Sequence, residues 1–253
     1  MGDLNARYSP NPGAKFYRFT SDHYGAFHII AMNANASEAI HVLDGLLYHG
    51  SDLAIETHYV DTGGVSDMSF ALCHLLGFQL VPRLRGLKDR RLYLFPGDAP
   101  PERIMPLVSD PILALRDIGR INRSIFLPQW WQSAEMRRNA TAGLNKSEAQ
   151  NTLARALFFN RLGELRDRTF ESQFYRASGL NLLINVIVYW NTLYLEPVFA
   201  DLNRSGIATP PEVIKHIAPL GWQHISLTGD YIWTPTDSSD LRPLRRETSI
   251  LVA

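Results

Sequence analysis

Two acidic residues have the surroundings that metal-dependent chemistry requires. Asp61 follows the apolar segment 53–60 and precedes the turn sequence Thr62-Gly63-Gly64. A carboxylate at a strand end beside an open turn can bind a metal ion and leave room for substrate. Glu148 lies on a predicted helix, on a face that also carries Asn145, Thr152 and Arg155. A glutamate with amide and basic neighbours can hold a metal ion near a phosphate group.

Each of these acids also has an ordinary structural interpretation, which the local pattern alone favours. Asp61 can form an Asx turn with its own backbone. Glu148 can belong to a solvated helix face. Asp67 follows in the first turn of a predicted helix, where a negative charge stabilises the helix dipole without any chemistry. His58 and His74 have no His or Cys partner at zinc-ligand spacing, so they are interpreted as packing or hydrogen-bonding residues.

Basic residues are concentrated in short runs. Five of them fall within nine residues and could follow a DNA backbone, although a solvated loop explains the same run. These five are Arg83, Arg85, Lys88, Arg90 and Arg91. Lys146 and Arg155, on the Glu148 helix, are further candidate DNA contacts. The 25 basic and 25 acidic residues balance, so net charge neither indicates nor excludes a nucleic-acid partner.

Hydrophobic periodicity predicts a mixed α/β sheet over residues 15–83. The predicted order is strand, strand, helix, strand, helix, strand, and the first two strands form a hairpin. Ser37 and Ser66 are predicted helix caps. The predicted elements are strands at 15–21, 26–32, 53–60 and 78–83, and helices at 37–49 and 68–76.

The rest of the chain is predicted to be mainly helical. Residues 96–111 hold five prolines and are predicted to be a loop. The helical pattern then runs from about residue 112 to 202, with breaks expected near Pro128, Gly143 and Gly163. Short strands are predicted at 92–95 and 222–233. A polar tail follows at 234–253.

Composition limits the classes of protein that the chain can represent. Hydrophobic residues make up 45%, enough for a sizeable core. Cys73 is the single cysteine; it lies in an apolar run and is predicted to be a buried small hydrophobe, which suits a reducing cytoplasm. Nothing near the first residue has the pattern of a signal peptide. The apolar stretch 177–199 contains three asparagines, which favours a buried core helix over the remote alternative of a membrane span.

Seven strings along the chain closely resemble the transposases of class II replicative transposons, the Tn-three family. No Gly-rich phosphate loop, nucleophile elbow or CxxC pair competes with this assignment. The strings are VLDGLLYH at 42–49, HYVDTGG at 58–64, FALCHLLGF at 70–78, LNKSEA at 144–149, FFNRLGE at 158–164, RASGLNL at 176–182 and PLGWQHI at 219–225.

The resemblance implies a ribonuclease-H-like fold with an Asp-Asp-Glu triad that binds Mg²⁺. Asp61 matches the family's second Asp. Glu148 matches its Glu, with Ser147 in place of a family Gly. The first Asp belongs to a Ser-Asp-Gly-Gln strand expected upstream of this chain, and Asp3 is not assigned that role. The expected fold is therefore an α/β ribonuclease-H-like mixed sheet that lacks its first strand, followed by a mainly helical part.

The spacing of the two acids departs from the family pattern. Glu148 follows Asp61 by 87 positions, whereas the family has several dozen more residues in this interval. The missing block is expected near residues 106–110. This divides the chain into a partial ribonuclease-H-like core at 1–95, a Pro-rich loop at 96–111, a helical remainder at 112–233 and the tail. The pattern is typical of a decayed or internally deleted copy, or of the C-terminal product of a broken gene.

Two functions from different classes follow from the resemblance. In the first, the chain is part of a DDE transposase that cleaves transposon ends and transfers 3′ ends to target DNA with two Mg²⁺ ions roughly 4 Å apart. In the second, it is an inactive remnant that at most binds DNA or a full-length transposase. No membrane partner is expected. A soluble α/β domain of other function is a third, weaker interpretation. If the core survives, the two carboxylates must converge, because Mg²⁺–oxygen bonds are only about 2.0–2.1 Å long.

The incomplete triad generates a prediction about activity. We expect the purified chain alone to show no Mg²⁺-dependent strand transfer on transposon-end DNA, because metal sites of this type need their full ligand set. The measurement is a strand-transfer assay with labelled end duplexes. Strand transfer by the chain that disappears in Asp61→Ala would contradict this expectation.

Overall fold

The computed structural model describes residues 13–85, 111–158 and 169–230. The chain is a mixed α/β protein whose second part is helical, as expected. Single turns of 3-10 helix occur at Glu38–Ile40 and Thr62–Gly64. The remaining elements are β1 (Ala14–Thr20), β2 (Ala26–Asn33), α1 (Val42–Leu47), β3 (Thr57–Val60), α2 (Asp67–Leu75), β4 (Gln79–Pro82), α3 (Pro111–Gln132), α4 (Ala134–Leu157), α5 (Phe170–Arg204) and α6 (Pro211–Ile214).

The strands form two separate pairs, so the prediction of one mixed sheet over 15–83 is wrong for the described residues. β1 and β2 are an antiparallel hairpin, with Ala14 opposite Asn33. β3 and β4 are parallel, with His58 opposite Leu80. A single sheet needs a strand that hydrogen-bonds to both pairs, and no described segment supplies one.

Of the two predicted helix caps, Ser66 is confirmed and Ser37 is not. Ser66 caps α2 as predicted: its hydroxyl accepts the Ser69 N–H, and the Ser69 side chain bonds back to Ser66. Ser37 makes no capping hydrogen bond, and the predicted helix 37–49 divides into a 3-10 turn and the short α1. The third strand begins at Thr57 rather than at residue 53, because only Thr57–Val60 has a partner strand.

The helix breaks predicted near Pro128 and Gly143 are wrong. α3 continues through Pro128, where the neighbouring residues Phe126, Leu127 and Trp130 are buried in the core and hold the helix in place. The break falls at Ser133, whose hydroxyl accepts the Met136 N–H and starts α4. Gly143 lies inside α4. Gly163 lies outside the described residues.

The predicted strand at 222–233 is also wrong over residues 222–230, which form turns. The Ile225 N–H donates to the Trp222 carbonyl and closes one of these turns. Leu220 and Trp222 pack against the α4–α5 core, so the segment is held by side-chain packing rather than by a partner strand. The predictions for 86–110 and for 231–253, including the short strand at 92–95, the Pro-rich loop and the polar tail, lie outside the described residues.

Two apolar cores hold the elements together. The first lies between the β3–β4 pair and helices α1, α2 and α3, and includes Val60 and Phe70. Cys73 is completely buried in it, as predicted, and this burial raises the pKa of the thiol to about 11. The second core joins α4 to α5 through Leu153 and Ile184.

Helix α5 is buried on one face only, so the prediction of a core helix over 177–199 is partly wrong. By length and composition it could cross a membrane, and 17% of its most apolar window is buried. The other face exposes large apolar side chains such as Leu182 and Tyr189. The packed face carries polar anchors: the Asn191 amide donates to the carbonyls of Pro219 and Gly221.

The α2–α3 contact generates a stability prediction from two helical glycines. A Cβ added at Gly119 would overlap the Asp67 carbonyl oxygen, whereas one added at Gly179 on α5 would meet nothing within 4 Å. We expect Gly119→Ala to lower the free energy of unfolding by at least about 1 kcal/mol through overpacking. Gly179→Ala should raise it by about 0.5–1 kcal/mol through helix propensity. Urea denaturation measures both, and equal effects from the two would exclude the close α2–α3 approach.

Burial of His58 generates a prediction about pH. Its ring stacks on Phe19 with centroids 5.6 Å apart, as expected of a packing residue, and burial lowers its pKa to about 4. His74, by contrast, is exposed on the last turn of α2. Because the unfolded chain takes up the His58 proton near pH 6.5 and the folded chain near pH 4, stability should fall as pH drops through this window.

The size of the effect can be checked directly. Between pH 7.5 and pH 5, His58 should cost the folded state about 2 kcal/mol. Urea unfolding of the wild type and of His58→Phe, which keeps a stacking ring but cannot titrate, measures this difference. The substitution should flatten the acid loss of stability by that amount. An identical loss in both proteins would show that other groups cause it.

Candidate metal-binding site

Asp61 forms the turn with its own backbone that the local pattern favours, and its second carboxylate oxygen takes no part in that turn. It directly follows β3, and its Oδ1 accepts the Thr62 N–H at 2.8 Å, which starts the 3-10 turn Thr62–Gly64. Its Oδ2 points away from the turn and lies 3.4 Å from the Arg83 guanidinium. The side chain is 46% exposed. One oxygen therefore fixes the loop, and the other pairs with Arg83.

Glu148 converges on the same place, as expected for a shared site. It lies in the second half of α4 with its side chain 65% exposed, and its Oε1 lies 3.4 Å from Nη2 of Arg83. The same nitrogen contacts Asp61. The two carboxylate oxygens can therefore be no further apart than twice 3.4 Å. Carboxylates separated by 87 positions in the chain face one point at the end of β3.

Two contacts fix α4 on either side of Glu148. At Gly143 the helix passes so close to β3 that an added Cβ would lie 2.9 Å from the Tyr59 ring. At Gln150, which is completely buried, the amide accepts from the Thr20 hydroxyl and donates to the Tyr24 carbonyl, both at 2.8 Å. Glu148 lies between these contacts, so the strand and the hairpin together set its position.

The hairpin is joined to α4 and α5 by a second set of polar contacts. Arg18 donates from Nε to Asn181 at 2.7 Å and from Nη1 to Asn151 at 3.1 Å. Asn185 both accepts from and donates to the backbone of Ala26. Burial lowers the pKa of Arg18 to about 10. Sequence reasoning missed this network, although polar side chains inside apolar strand and helix patterns were the available signal.

Positive charge surrounds Oδ2 of Asp61. Arg85 also approaches Oδ2, at 3.7 Å. Partial burial by itself raises the pKa of Asp61, but the Thr62 hydrogen bond and the charges of Arg83 and Arg85 outweigh it, so the pKa lies below its ordinary value. In turn, Asp61 and Glu148 raise the pKa of Arg83 against the opposing effect of burial. The site is a mixed-charge cluster in which Arg83 lies between two carboxylates.

The other candidate DNA contacts differ in their surroundings. Arg155 is exposed on α4, where it donates to Thr152. Lys146 donates to the Asp22 carbonyl at 2.8 Å and lies over the Tyr24 ring, so its ammonium serves the hairpin turn. Lys88, Arg90 and Arg91 lie outside the described residues.

Within 13–85, 111–158 and 169–230, no third His, Cys, Asp or Glu side chain joins Asp61 and Glu148. No group of three or more His, Cys, Asp or Glu side chains comes together there. Asp67, the next acid along the chain, is engaged elsewhere: its carboxylate pairs with Arg120 and Arg123 of α3. These ion pairs join α2 to α3 and explain Asp67 without chemistry.

Comparison with known proteins connects this geometry to a family. The family described as Tn3 transposase DDE domain matches residues 1–113 and 112–231. The transposase for transposon Tn21 of Escherichia coli is 43% identical over 290 residues, covering 96% of this chain and 29% of that protein. The transposase for Tn501 of Pseudomonas aeruginosa is also 43% identical, with the same coverage. The transposase for transposon gamma-delta of Escherichia coli is 30% identical over 92% of this chain.

The matches cover nearly all of this chain but only part of each relative. The chain spans 29% of the length of the relatives from Tn21 and Tn501. Within that span the family match comes as two segments, the first of which contains Asp61 and the second Glu148. The chain therefore belongs to the Tn3 transposase family, in the region of its DDE domain.

Proposed function

We propose that this chain is part of the catalytic region of a DNA transposase, in which Asp61 and Glu148 are metal ligands. The convergence of the two carboxylates on one point at the end of β3 carries the proposal. Membership of a transposase family supports it. The order of β1, β2, α1, β3, α2 and β4 also follows the order expected for a ribonuclease-H-like core without its first strand.

The residues at the site fit one Mg²⁺ ion. Mg²⁺ prefers oxygen ligands and is commonly held by one or two carboxylates, with water and substrate phosphate oxygens completing its shell. Asp61 and Glu148 each bring one carboxylate oxygen to this place, and both oxygens pair with Arg83. When bound, the ion would supply Lewis-acid stabilisation of charge on a phosphate oxygen. Two carboxylates alone are a small ligand set for the two-ion arrangement.

The arginines at the site have the chemistry to hold DNA. Arg85 is 67% exposed beside Asp61, and its guanidinium can donate to a phosphate that approaches the carboxylates. Arg155 lies about two helical turns beyond Glu148 on the exposed side of α4 and can contact the same DNA backbone. Lys146 is the weakest of the candidates, since it already donates to a backbone carbonyl.

A second candidate function is that of an inactive remnant which binds DNA or a full-length transposase. Two observations favour it. Within the described residues only two carboxylates face the site. The family match also comes in two segments that meet at residues 112–113, and the 290-residue alignment with the Tn21 relative exceeds the 253 residues of this chain. The two matched segments and the longer alignment both support an internal shortening of this chain, close to the expected position at 106–110.

The metal site can be tested without any catalytic assay. Mn²⁺ can replace Mg²⁺ and is followed by the electron paramagnetic resonance signal of the free ion. We expect Asp61→Asn and Glu148→Gln each to weaken Mn²⁺ binding by about tenfold or more, because each removes a charged ligand without changing its size.

Glu171→Gln is the matched control, since it neutralises an exposed acid in the first turn of α5. It should leave Mn²⁺ binding unchanged. If Asp61→Asn and Glu148→Gln bind Mn²⁺ like the wild type, the proposed metal site is wrong. If the wild type itself binds no better than Glu148→Gln but still binds duplex DNA, the remnant function is the better description.

A further inference from the structure

Arg83 occupies the position at which the two carboxylates meet. Its Nη2 lies 3.4 Å from Asp61 Oδ2 and 3.4 Å from Glu148 Oε1, and its side chain is only 18% exposed. The same nitrogen of Arg83 contacts both acids. The guanidinium therefore places one positive charge between two carboxylates, which reduces their mutual repulsion across a short gap.

The backbone of Arg83 is fixed while its guanidinium is loosely bound. Its N–H donates to the Val60 carbonyl at 2.8 Å, and its carbonyl accepts from the Thr62 hydroxyl at 3.1 Å. Both side-chain contacts are longer than the 2.7–2.9 Å typical of charge-assisted hydrogen bonds. The Nε atom is buried and has no hydrogen-bond partner. The guanidinium of Arg83 can therefore move without breaking the backbone hydrogen bonds that hold Arg83 at the end of β4.

We propose that Arg83 competes with the divalent cation for Asp61 and Glu148, holding the two carboxylates together when no cation is bound and moving aside when one binds. The inference rests on the metal site proposed above and goes beyond it by assigning a role to Arg83. A guanidinium and a divalent cation repel each other, and both need the same two oxygens. The displaced guanidinium remains beside the carboxylates, where it can donate to a phosphate oxygen.

The competition predicts that removing Arg83 strengthens cation binding. We expect Arg83→Gln to bind Mn²⁺ about fivefold or more tightly than the wild type, measured by the loss of the free-ion resonance signal. Arg85→Gln should give a smaller gain, because Arg85 lies further from Asp61, at 3.7 Å, and is 67% exposed. Arg116→Gln, on the exposed surface of α3, controls for the loss of one positive charge and should change nothing.

The outcomes separate this inference from the metal site on which it rests. If Glu148→Gln weakens Mn²⁺ binding but Arg83→Gln equals the wild type or binds more weakly, Arg83 is only a structural brace and the competition is wrong. Equal gains in the three arginine variants would likewise overturn it in favour of a general charge effect. If Glu148→Gln has no effect, the metal site itself fails.

A measurement on the unaltered chain covers the case in which Arg83→Gln does not fold. The Arg83 Nε–H can be followed by nitrogen-15 magnetic resonance, because its burial slows exchange with water. Adding Mg²⁺ should shift this resonance and speed its exchange as the guanidinium leaves. A resonance that does not move while Mg²⁺ saturates the site would show that the arginine stays in place, which would overturn the proposal.

Discussion

The buried amide of Gln150 is the interaction on which the arrangement of the site depends. It makes two hydrogen bonds to the turn between β1 and β2, through Thr20 and Tyr24. Seven residues earlier, the absence of a side chain at Gly143 lets the same helix contact Tyr59. These contacts are about 10 Å apart along the helix axis. Two such points fix both the position and the rotation of α4, and Glu148 lies between them.

Hydrogen bonds from buried amide side chains fix how the hairpin sits against α4 and α5. A buried amide that loses its partners costs about 1–3 kcal/mol, whereas apolar side chains tolerate small shifts. Gln150, Asn181 and Asn185 all face the hairpin, and each has a partner there. A one-residue slip of the hairpin would leave these groups unpaired. The register of β1 and β2 is therefore coupled to the direction in which Glu148 points.

Features that depend on a few neighbouring residues could be predicted from the sequence. The hairpin follows from alternating apolar residues around a turn, and the start of α2 follows from Ser66 and its bond to Ser69. The position of Asp61 at a strand end was visible for the same reason. The pairing of Asp61 with Glu148 was expected from the family resemblance, because no local pattern connects residues 87 positions apart.

The wrong predictions concern residues whose conformation depends on contacts with distant parts of the chain. Proline and glycine both disfavour the interior of a helix. At Pro128 the buried neighbouring residues keep α3 helical. At Gly143 the close approach of Tyr59 requires a residue without a side chain. The division of the sheet follows from partner strands, which periodicity within a single strand does not reveal. Arg83 was predicted to contact DNA because it lies in a basic run. Its contact with both acids depends on Glu148, which is brought close only by the fold.

The convergence of the two acids can be explained without the stretch 86–110. Asp61 is held by β3, which pairs with β4 and packs on α2 in the first core. α2 contacts α3 closely at Gly119, and the Asp67 ion pairs join the same two helices. α3 leads into α4 at the Ser133 cap. Each step is a packed contact between described elements, so the distance between the carboxylates is set by these interfaces rather than by the length of the intervening chain. A change in that length can therefore leave the carboxylate pair in place while removing other parts of the site.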